Sequence, residues 1–175
     1  LENLHRVVEL RDLLATREKV GILLQPDPDP DGIASGIALR ALLGRKSPTA
    51  PLISFGAVKR PENRAMIAAL GIEVRIVTPP ELEEFDGLTL VDVQPPVFGE
   101  SPPARVLSVD AVIDHHPERG GYDTVIGDIR TSYGATSTIL TEYVRAAGIE
   151  VRPRLATALL YGIKSDTQLL GRETS

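Results

Sequence analysis

The sequence predicts an α/β protein with a three-layer, Rossmann-like arrangement around a mostly parallel sheet of five or six strands. Short aliphatic runs alternate along the chain with segments whose apolar residues recur at helical spacing, which is typical of βαβ units. Hydrophobic residues make up 42% of the 175 residues and aromatic residues only 4%. One aliphatic core is therefore expected.

The predicted elements follow one another with clear end signals. Amphipathic or buried helices are expected over residues 4–18, 33–43, 62–70, 136–147 and 155–163. Gly44 and Gly71 mark the ends of the second and third of these helices. Strands are predicted over residues 20–24, 51–55, 72–77, 88–93, 106–113 and 122–129. Ligands of such sheets bind beyond the carboxyl ends of the strands, so the residues that follow each strand are the first candidates for function.

Composition excludes several classes of function. The absence of cysteine excludes disulfides, thiolate metal ligands and a cysteine nucleophile. A net charge of −5 argues against stable binding of long nucleic acid through the protein's own cations. No apolar run approaches the roughly 18–20 residues of a membrane span, and no signal-peptide pattern is present. A cytoplasmic protein without a membrane partner is expected.

The residues that carry chemistry fall into four short acidic segments, three of them at the carboxyl ends of predicted strands. The segments contain Asp29 and Asp31, Asp92, Asp114 with His115 and His116, and Asp166. Carboxylates and imidazole are suitable ligands for Mn²⁺ and Mg²⁺. Two such ions about 3.5–4 Å apart would clamp a phosphoryl group and activate water. The set therefore predicts a two-metal phosphoesterase centre.

The first acidic segment is expected to be an extended loop. Asp29 and Asp31 stand two residues apart with Pro30 between them, so their side chains would point the same way. Gly32 would allow a sharp turn into the next helix. The start of that helix, at residues 33–35, could donate backbone N–H groups to a phosphate oxygen.

Taken together, these residues resemble the DHH phosphoesterases. That family includes RecJ-like exonucleases, nanoRNases that also remove the 3′ phosphate of pAp, cyclic dinucleotide phosphodiesterases and family II pyrophosphatases. The resemblance extends from about residue 20 to about residue 171. The matching motifs are Asp29 and Asp31 with Ser35, then Asp92, then Asp114-His115-His116, and finally Asp166.

The resemblance implies a role for each matching residue. The metal ligands would be Asp29, Asp31, Asp92, His115 and Asp166, with Asp92 bridging two ions of Mn²⁺ or Mg²⁺. The catalytic residues would be Asp114, His115 and His116. Asp114 would orient the histidines, and His116 would face the substrate phosphate. Further substrate contacts are expected from Ser35 and, at the start of the third helix, from Arg60, Arg64 and their neighbour Asn63.

The chain departs from the family pattern in two respects. A histidine ligand usually stands four residues before the first aspartate, and this chain has Gln25 there. One of the two ions is therefore expected to be weakly held. The family's smaller C-terminal domain, which holds the substrate, is absent from this chain, so residues 1–175 are interpreted as a single catalytic domain.

Three functions remain open on the sequence. The first is metal-dependent hydrolysis of short oligonucleotides, pAp, or linear and cyclic dinucleotides. The second is a catalytically weakened domain that binds a nucleotide or metal without turnover. The third is a family II pyrophosphatase. The expected partner is a short oligonucleotide or nucleotide phosphate, and a homodimer is compatible with the sequence.

Overall fold

A sheet of six parallel strands forms the centre of the computed structural model, which describes residues 1–44 and 50–171. The strands are β1 (Val20–Leu23), β2 (Leu52–Ser54), β3 (Val74–Ile76), β4 (Gly87–Val91), β5 (Ser108–Asp114) and β6 (Asp123–Ile129). The helices are α1 (Glu2–Ala15), α2 (Pro30–Leu43), α3 (Pro61–Leu70), α4 (Thr136–Ala146) and α5 (Pro153–Asp166).

The strand order creates a crevice at the middle of the sheet. The order is β3-β2-β1-β4-β5-β6, and every neighbouring pair is parallel. The chain leaves β1 toward one edge, then returns to β4 on the other side of β1 and continues outward. Connections on either side of β1 and β4 therefore diverge, which opens the space where ligands bind in such sheets.

Alternate strand residues feed two separate cores, one on each face of the sheet. The α-helices cover one face, where Leu10, Leu39 and Ile139 pack with the strand residue Ile22. Short 3-10 turns and loops cover the other face, where buried Leu82 packs on the inward residues of the central strands. Burial of both faces explains why the central strands are continuous apolar runs.

The predicted fold class is confirmed, and the sheet is parallel throughout. Most boundaries differ by one to three residues, because helix and strand ends are the least specified positions. The predicted strand at 72–77 is shorter, at Val74–Ile76, and the start of the predicted strand at 106–113 belongs to a 3-10 turn. Among the described residues, none of the helices has the length and apolar character needed to cross a bilayer.

The expectation of an extended loop through the first acidic segment is wrong. Helix α2 begins at Pro30 and not at residue 33, so Asp31 lies in its first turn. Asp29 is the N-cap residue, and its Oδ1 accepts a hydrogen bond from the Gly32 N–H at 2.9 Å. An aspartate cap followed by proline at the first helical position is a strong helix start. Gly32 is therefore a helical residue and not a turn.

The link between β5 and β6 is short for two parallel strands. Residues 115–122 must run back along the whole of β5, since Ser108 pairs with Asp123 and Asp114 with Ile129. Parallel strands usually need a dozen or more connecting residues. A chain spans at most about 3.3–3.6 Å per residue, so this link has to be nearly extended. The extended link begins with His115 and His116, directly at the crevice.

Candidate metal centre

The backbone of Asp92, at the end of β4, adopts an unusual conformation. Its φ angle is +60°, in the left-handed region that non-glycine residues rarely adopt. The side chain is buried, and Thr136 Oγ1 donates a hydrogen bond to Asp92 Oδ1 at 2.9 Å. Within the described part of the chain, the buried Oδ2 atom has no hydrogen-bond partner. A strained backbone with an unsatisfied buried carboxylate oxygen is a hallmark of a functional position.

The carboxylate of Asp31 is held by the start of another helix. It is fully buried, and both oxygens accept backbone N–H groups from the first turn of α4. Thr136 N donates to Oδ2 and Ser137 N donates to Oδ1, each at 2.7 Å. The positive end of the helix dipole favours this negative charge. Asp31 is therefore fixed in orientation by elements more than a hundred residues apart in sequence.

His115 presents one ring nitrogen to three carboxylates. Its Nδ1 lies 3.1 Å from the Tyr133 carbonyl, which can only accept, so Nδ1 carries the proton in the neutral ring. Its Nε2 lies 3.1 Å from Asp166 Oδ2 and 3.6 Å from Asp92 Oδ1. Asp31 Oδ2 is 3.8 Å away. Nε2 is buried and makes no hydrogen bond of good geometry with any described residue, so its lone pair points among carboxylate oxygens.

Asp114 organises the two histidines from behind. Its Oδ1 accepts the backbone N–H groups of His115 and His116 at 2.8 and 3.2 Å, and the His116 ring Nδ1 at 2.8 Å. Its Oδ2 accepts a hydrogen bond from Gln94 Nε2 at 2.7 Å. The hydrogen bonds fix both histidines relative to Asp114, whose orienting role in catalysis stays a prediction. The bond to Asp114 raises the pKa of His116 despite the opposing effect of burial.

Sequence reasoning missed Gln94. This side chain is buried, and it also holds the extended link: its Nε2 donates to the Pro117 carbonyl, and its Oε1 accepts the Arg119 N–H at 2.7 Å. Its position two residues after Asp92 places it beside the site. No pattern in the sequence marks a lone glutamine as a partner of Asp114, so only the geometry identifies it.

Burial and mutual repulsion make the carboxylate cluster unfavourable without a cation. Burial, with repulsion from Asp166 and Asp29 as lesser causes, raises the pKa of Asp31 to about 6. The pKa of Asp92 rises well above its ordinary value, first because of burial and then because of Asp31 and Asp29. Burial also raises the pKa of Asp29. A divalent cation would offset the negative charges and so favour the ionised form of these buried carboxyl groups.

The donor set fits a divalent cation of the Mn²⁺ or Mg²⁺ type. Two groups of residues share His115, and within each group the ligand atoms lie within 4.8 Å of one another. One group is Asp31, His115 and Asp166, and the other is Asp92, His115 and His116. The unsatisfied Asp92 Oδ2 and His115 Nε2 atoms supply the open ligand positions such an ion requires.

The other predicted site residues lie at varying distances from this cluster. Ser35 is fully buried, and its Oγ lies 3.3 Å from Ser137 Oγ. This contact lies between α2 and α4, and the expected substrate contact of Ser35 stays a prediction. Arg60 and Arg64 are exposed at the start of α3, and their substrate contacts stay a prediction. Asn63 is buried, and its side-chain amide donates a hydrogen bond to the Pro28 carbonyl at 3.3 Å. This bond links the start of α3 to the first acidic segment.

Comparison with known proteins identifies the family. A model of the DHH family N-terminal domain matches residues 19–163. Fold and site together define the class of protein, which is a parallel α/β domain with acidic residues at the ends of β1, β4 and β5. The chain belongs to the DHH family.

Curated relatives and a solved structure agree with this placement. An uncharacterised protein of Methanocaldococcus jannaschii is 37% identical over 154 residues, which are 88% of this chain and 31% of that protein. A probable manganese-dependent inorganic pyrophosphatase of Deinococcus radiodurans is 30% identical in an alignment 158 residues long that covers 81% of this chain and 44% of that protein. The crystal structure of an exopolyphosphatase-related protein from Bacteroides fragilis shares the fold, with a TM-score of 0.74 at 16% identity, over 95% of this chain and 51% of its own. The chain therefore spans less than two thirds of the length of each of these proteins.

Proposed function

We propose that this chain forms the metal-binding part of a divalent-metal-dependent hydrolase that cleaves phosphoester or phosphoanhydride bonds. One observation carries the proposal: two buried atoms, Asp92 Oδ2 and His115 Nε2, have no hydrogen-bond partner among the described residues and lie among the carboxylates of Asp31 and Asp166. An uncompensated arrangement of this kind is costly in an apoprotein. A bound cation removes the cost, and phosphate chemistry is what such centres support.

Each residue of the site has a defined task in this proposal. Asp31, Asp92, His115 and Asp166 would hold the metal, with Asp29 and Gln25 as further donors nearby. Bound divalent cations supply positive charge against the phosphate oxygens and activate water. The hydrogen bond from Nδ1 to the Tyr133 carbonyl keeps His115 in the tautomer whose Nε2 can bind metal.

His116 is the group best placed to meet the substrate. Its side chain is half exposed, whereas that of His115 is nearly buried. Asp114 Oδ1 accepts a hydrogen bond from the Nδ1 proton of the ring, and this bond raises the pKa of His116, which favours the imidazolium form in which Nε2 carries the second proton. His116 would bind a phosphate oxygen or protonate the leaving oxygen.

The substrate we propose is a short oligonucleotide, pAp, or a linear or cyclic dinucleotide, as the motif set implies. Pyrophosphate is the second candidate, favoured by the relatives from Deinococcus radiodurans and Lactobacillus helveticus, which are named as probable manganese-dependent inorganic pyrophosphatases. The second relative is 28% identical to this chain. Both substrates present the same phosphate oxygens to the centre, so only turnover distinguishes them.

The test is a turnover assay in Mn²⁺ with a dinucleotide, pAp and pyrophosphate as parallel substrates. We expect hydrolysis that needs the metal and that Asp92→Asn abolishes, with Arg145→Gln on the far end of α4 as a matched control. Release of nucleotide supports the first substrate class, and release of phosphate from pyrophosphate alone supports the second. Mn²⁺ binding without turnover of any substrate would reject the hydrolase and leave a metal-binding module.

A further inference from the structure

A second cavity with a basic lining lies away from the metal centre. It has a volume of 440 Å³ and is formed by α2 and the segment that enters α5. Its charged lining consists of Arg40, Arg152, Arg154 and Glu150. Three arginines and one glutamate give this cavity a local charge of +2, in a chain whose net charge is −5. A cavity of this size is within the roughly 300–1,000 Å³ of small-molecule sites.

The proposal depends most on Arg40, because no described acidic side chain pairs with its guanidinium. Its side chain is half-buried, and across residues 1–44 and 50–171 no carboxylate lies within 4.0 Å of its guanidinium. Its charged neighbour is instead Arg154, and burial followed by this repulsion lowers the pKa of Arg40. Arginine stays protonated under such conditions, so the positive charge persists without compensation.

The remaining lining residues add a floor and a set of donors. Ile37, Ala41 and Leu155 are the apolar part of the lining, which we call the floor. Helix α5 opens at the cavity with Arg152 as its N-cap residue, and no side chain caps its first turn. Arg154 Nη2 donates to the Gly71 carbonyl at 2.7 Å, which holds that guanidinium in place. Arg152 pairs only weakly with Glu150, at 3.8 Å between exposed groups.

We propose that this cavity binds a small phosphate-bearing molecule, with the arginines on the phosphate and the apolar floor under an attached organic group. Guanidinium groups and an uncapped helix start are the groups that recognise phosphate in proteins. The site is distinct from the metal centre. Arg40 is nine residues from Asp31 along α2 and Arg154 twelve from Asp166 along α5, or about 14 and 18 Å of helix.

The test is calorimetric titration of the protein in EDTA, so that the metal centre takes no part. The probes are ADP, inorganic pyrophosphate and adenosine. We expect saturable binding of ADP, about tenfold or more weaker in Arg40→Gln, unchanged in Arg145→Gln and in Asp92→Asn, and no binding of adenosine. Tighter binding of ADP than of pyrophosphate would support a contact between the nucleoside and the floor, whereas equal binding would contradict that part of the proposal.

Two results would overturn the proposal. One is the absence of saturable binding for both ADP and pyrophosphate. The other is wild-type affinity in Arg40→Gln, provided that its circular dichroism and melting temperature match the native protein. Should Arg40→Gln not fold, Arg154→Gln on the exposed side of the cavity provides the same comparison. Because the readout is binding to metal-free protein, this test is independent of hydrolase activity.

Discussion

Asp92 is the residue on which the proposed metal centre depends most. Its carboxylate faces Asp31 and His115, and its backbone is held at a φ of +60° by the surrounding strands. An asparagine tolerates this conformation and keeps an oxygen for the Thr136 hydroxyl, but it removes the negative charge. The substitution therefore separates metal binding from folding.

We expect Asp92→Asn to abolish Mn²⁺ binding and yet to stabilise the metal-free protein. Relief of the buried charge cluster should raise the free energy of unfolding by about 1 kcal/mol, or the melting temperature by about 2–4 °C. Thermal melts in EDTA and in Mn²⁺ measure both effects. A mutant that retains the full metal-dependent shift in melting temperature would contradict the role assigned to Asp92.

Gln25 is the second residue whose role can be tested by substitution. The main-chain carbonyl of Gln25 accepts a hydrogen bond from Ser54 Oγ at 2.7 Å, and the Gln25 side chain lies against Asp29. An amide oxygen is a weaker ligand than imidazole, so the ion nearest Gln25 and Asp29 should be the weaker of two. We expect Gln25→His to raise the bound Mn²⁺ toward two ions at limiting metal.

Metal content after equilibrium dialysis measures this change, with Gln25→Asn as the control that keeps an amide. Two tightly held ions in the native protein, with no gain in Gln25→His, would show that Gln25 does not weaken the binding of the second ion.

At the scale of elements, the close packing of α5 on α2 determines where Asp166 stands. A Cβ atom on Gly162 would come within 2.6 Å of Ser137 Oγ and 3.1 Å of the Pro30 carbonyl oxygen. Only glycine allows this approach of α5 to the starts of α2 and α4. Asp166 lies one turn further along α5, at the metal cluster.

We therefore expect Gly162→Ala to move α5 outward, to destabilise the protein by about 1–3 kcal/mol and to weaken Mn²⁺ binding at the same time. Urea unfolding and metal titration test the two effects. Gly120→Ala is the matched control, because nothing lies within 4 Å of its added Cβ. Unchanged metal affinity in a destabilised Gly162→Ala would show that helix position does not control the site.

Sequence reasoning predicted the order of elements and the convergence of the acidic segments, because strand-end positions follow directly from the alternation of apolar runs. It mistook the segment around Asp31 for a loop, since proline and aspartate signal turns and helix starts equally well. It could not find the α4 amides on Asp31 or the Gln94 bond to Asp114. Those contacts join residues distant in sequence and depend on packing that no local pattern records.

At the scale of the whole molecule, a partly buried polar network joins the N-terminal helix to the outer strand. Arg130 donates to Asp128 Oδ2 at 2.7 Å, to Glu142 Oε2 at 2.8 Å and to Asn3 Oδ1 at 2.7 Å. Tyr143 donates to the same Asp128 carboxylate. Burial opposes ionisation of Asp128, but the bonds from Arg130 and Tyr143 outweigh it and lower its pKa.

The network predicts a specific pH dependence of stability. Because the pKa of Asp128 is lower in the folded state, its contribution is complete above the unfolded value of about 3.9 and is lost as pH falls below it. We expect Asp128→Asn to cost about 2–4 kcal/mol at pH 7 and progressively less toward pH 3. Urea unfolding of metal-free protein at a series of pH values measures this. A difference that is constant with pH would contradict a charged role for Asp128.

The central claim is that Asp31, Asp92, His115 and Asp166 form a divalent-metal centre, and anomalous diffraction from crystals grown with Mn²⁺ tests it most directly. We predict an anomalous peak for a manganese ion that lies about 2.0–2.3 Å from His115 Nε2 and from carboxylate oxygens of Asp31, Asp92 and Asp166. A second, weaker peak is expected toward Gln25 and Asp29. Crystals at saturating Mn²⁺ with no peak between these side chains, or with manganese bound only elsewhere, would contradict the claim.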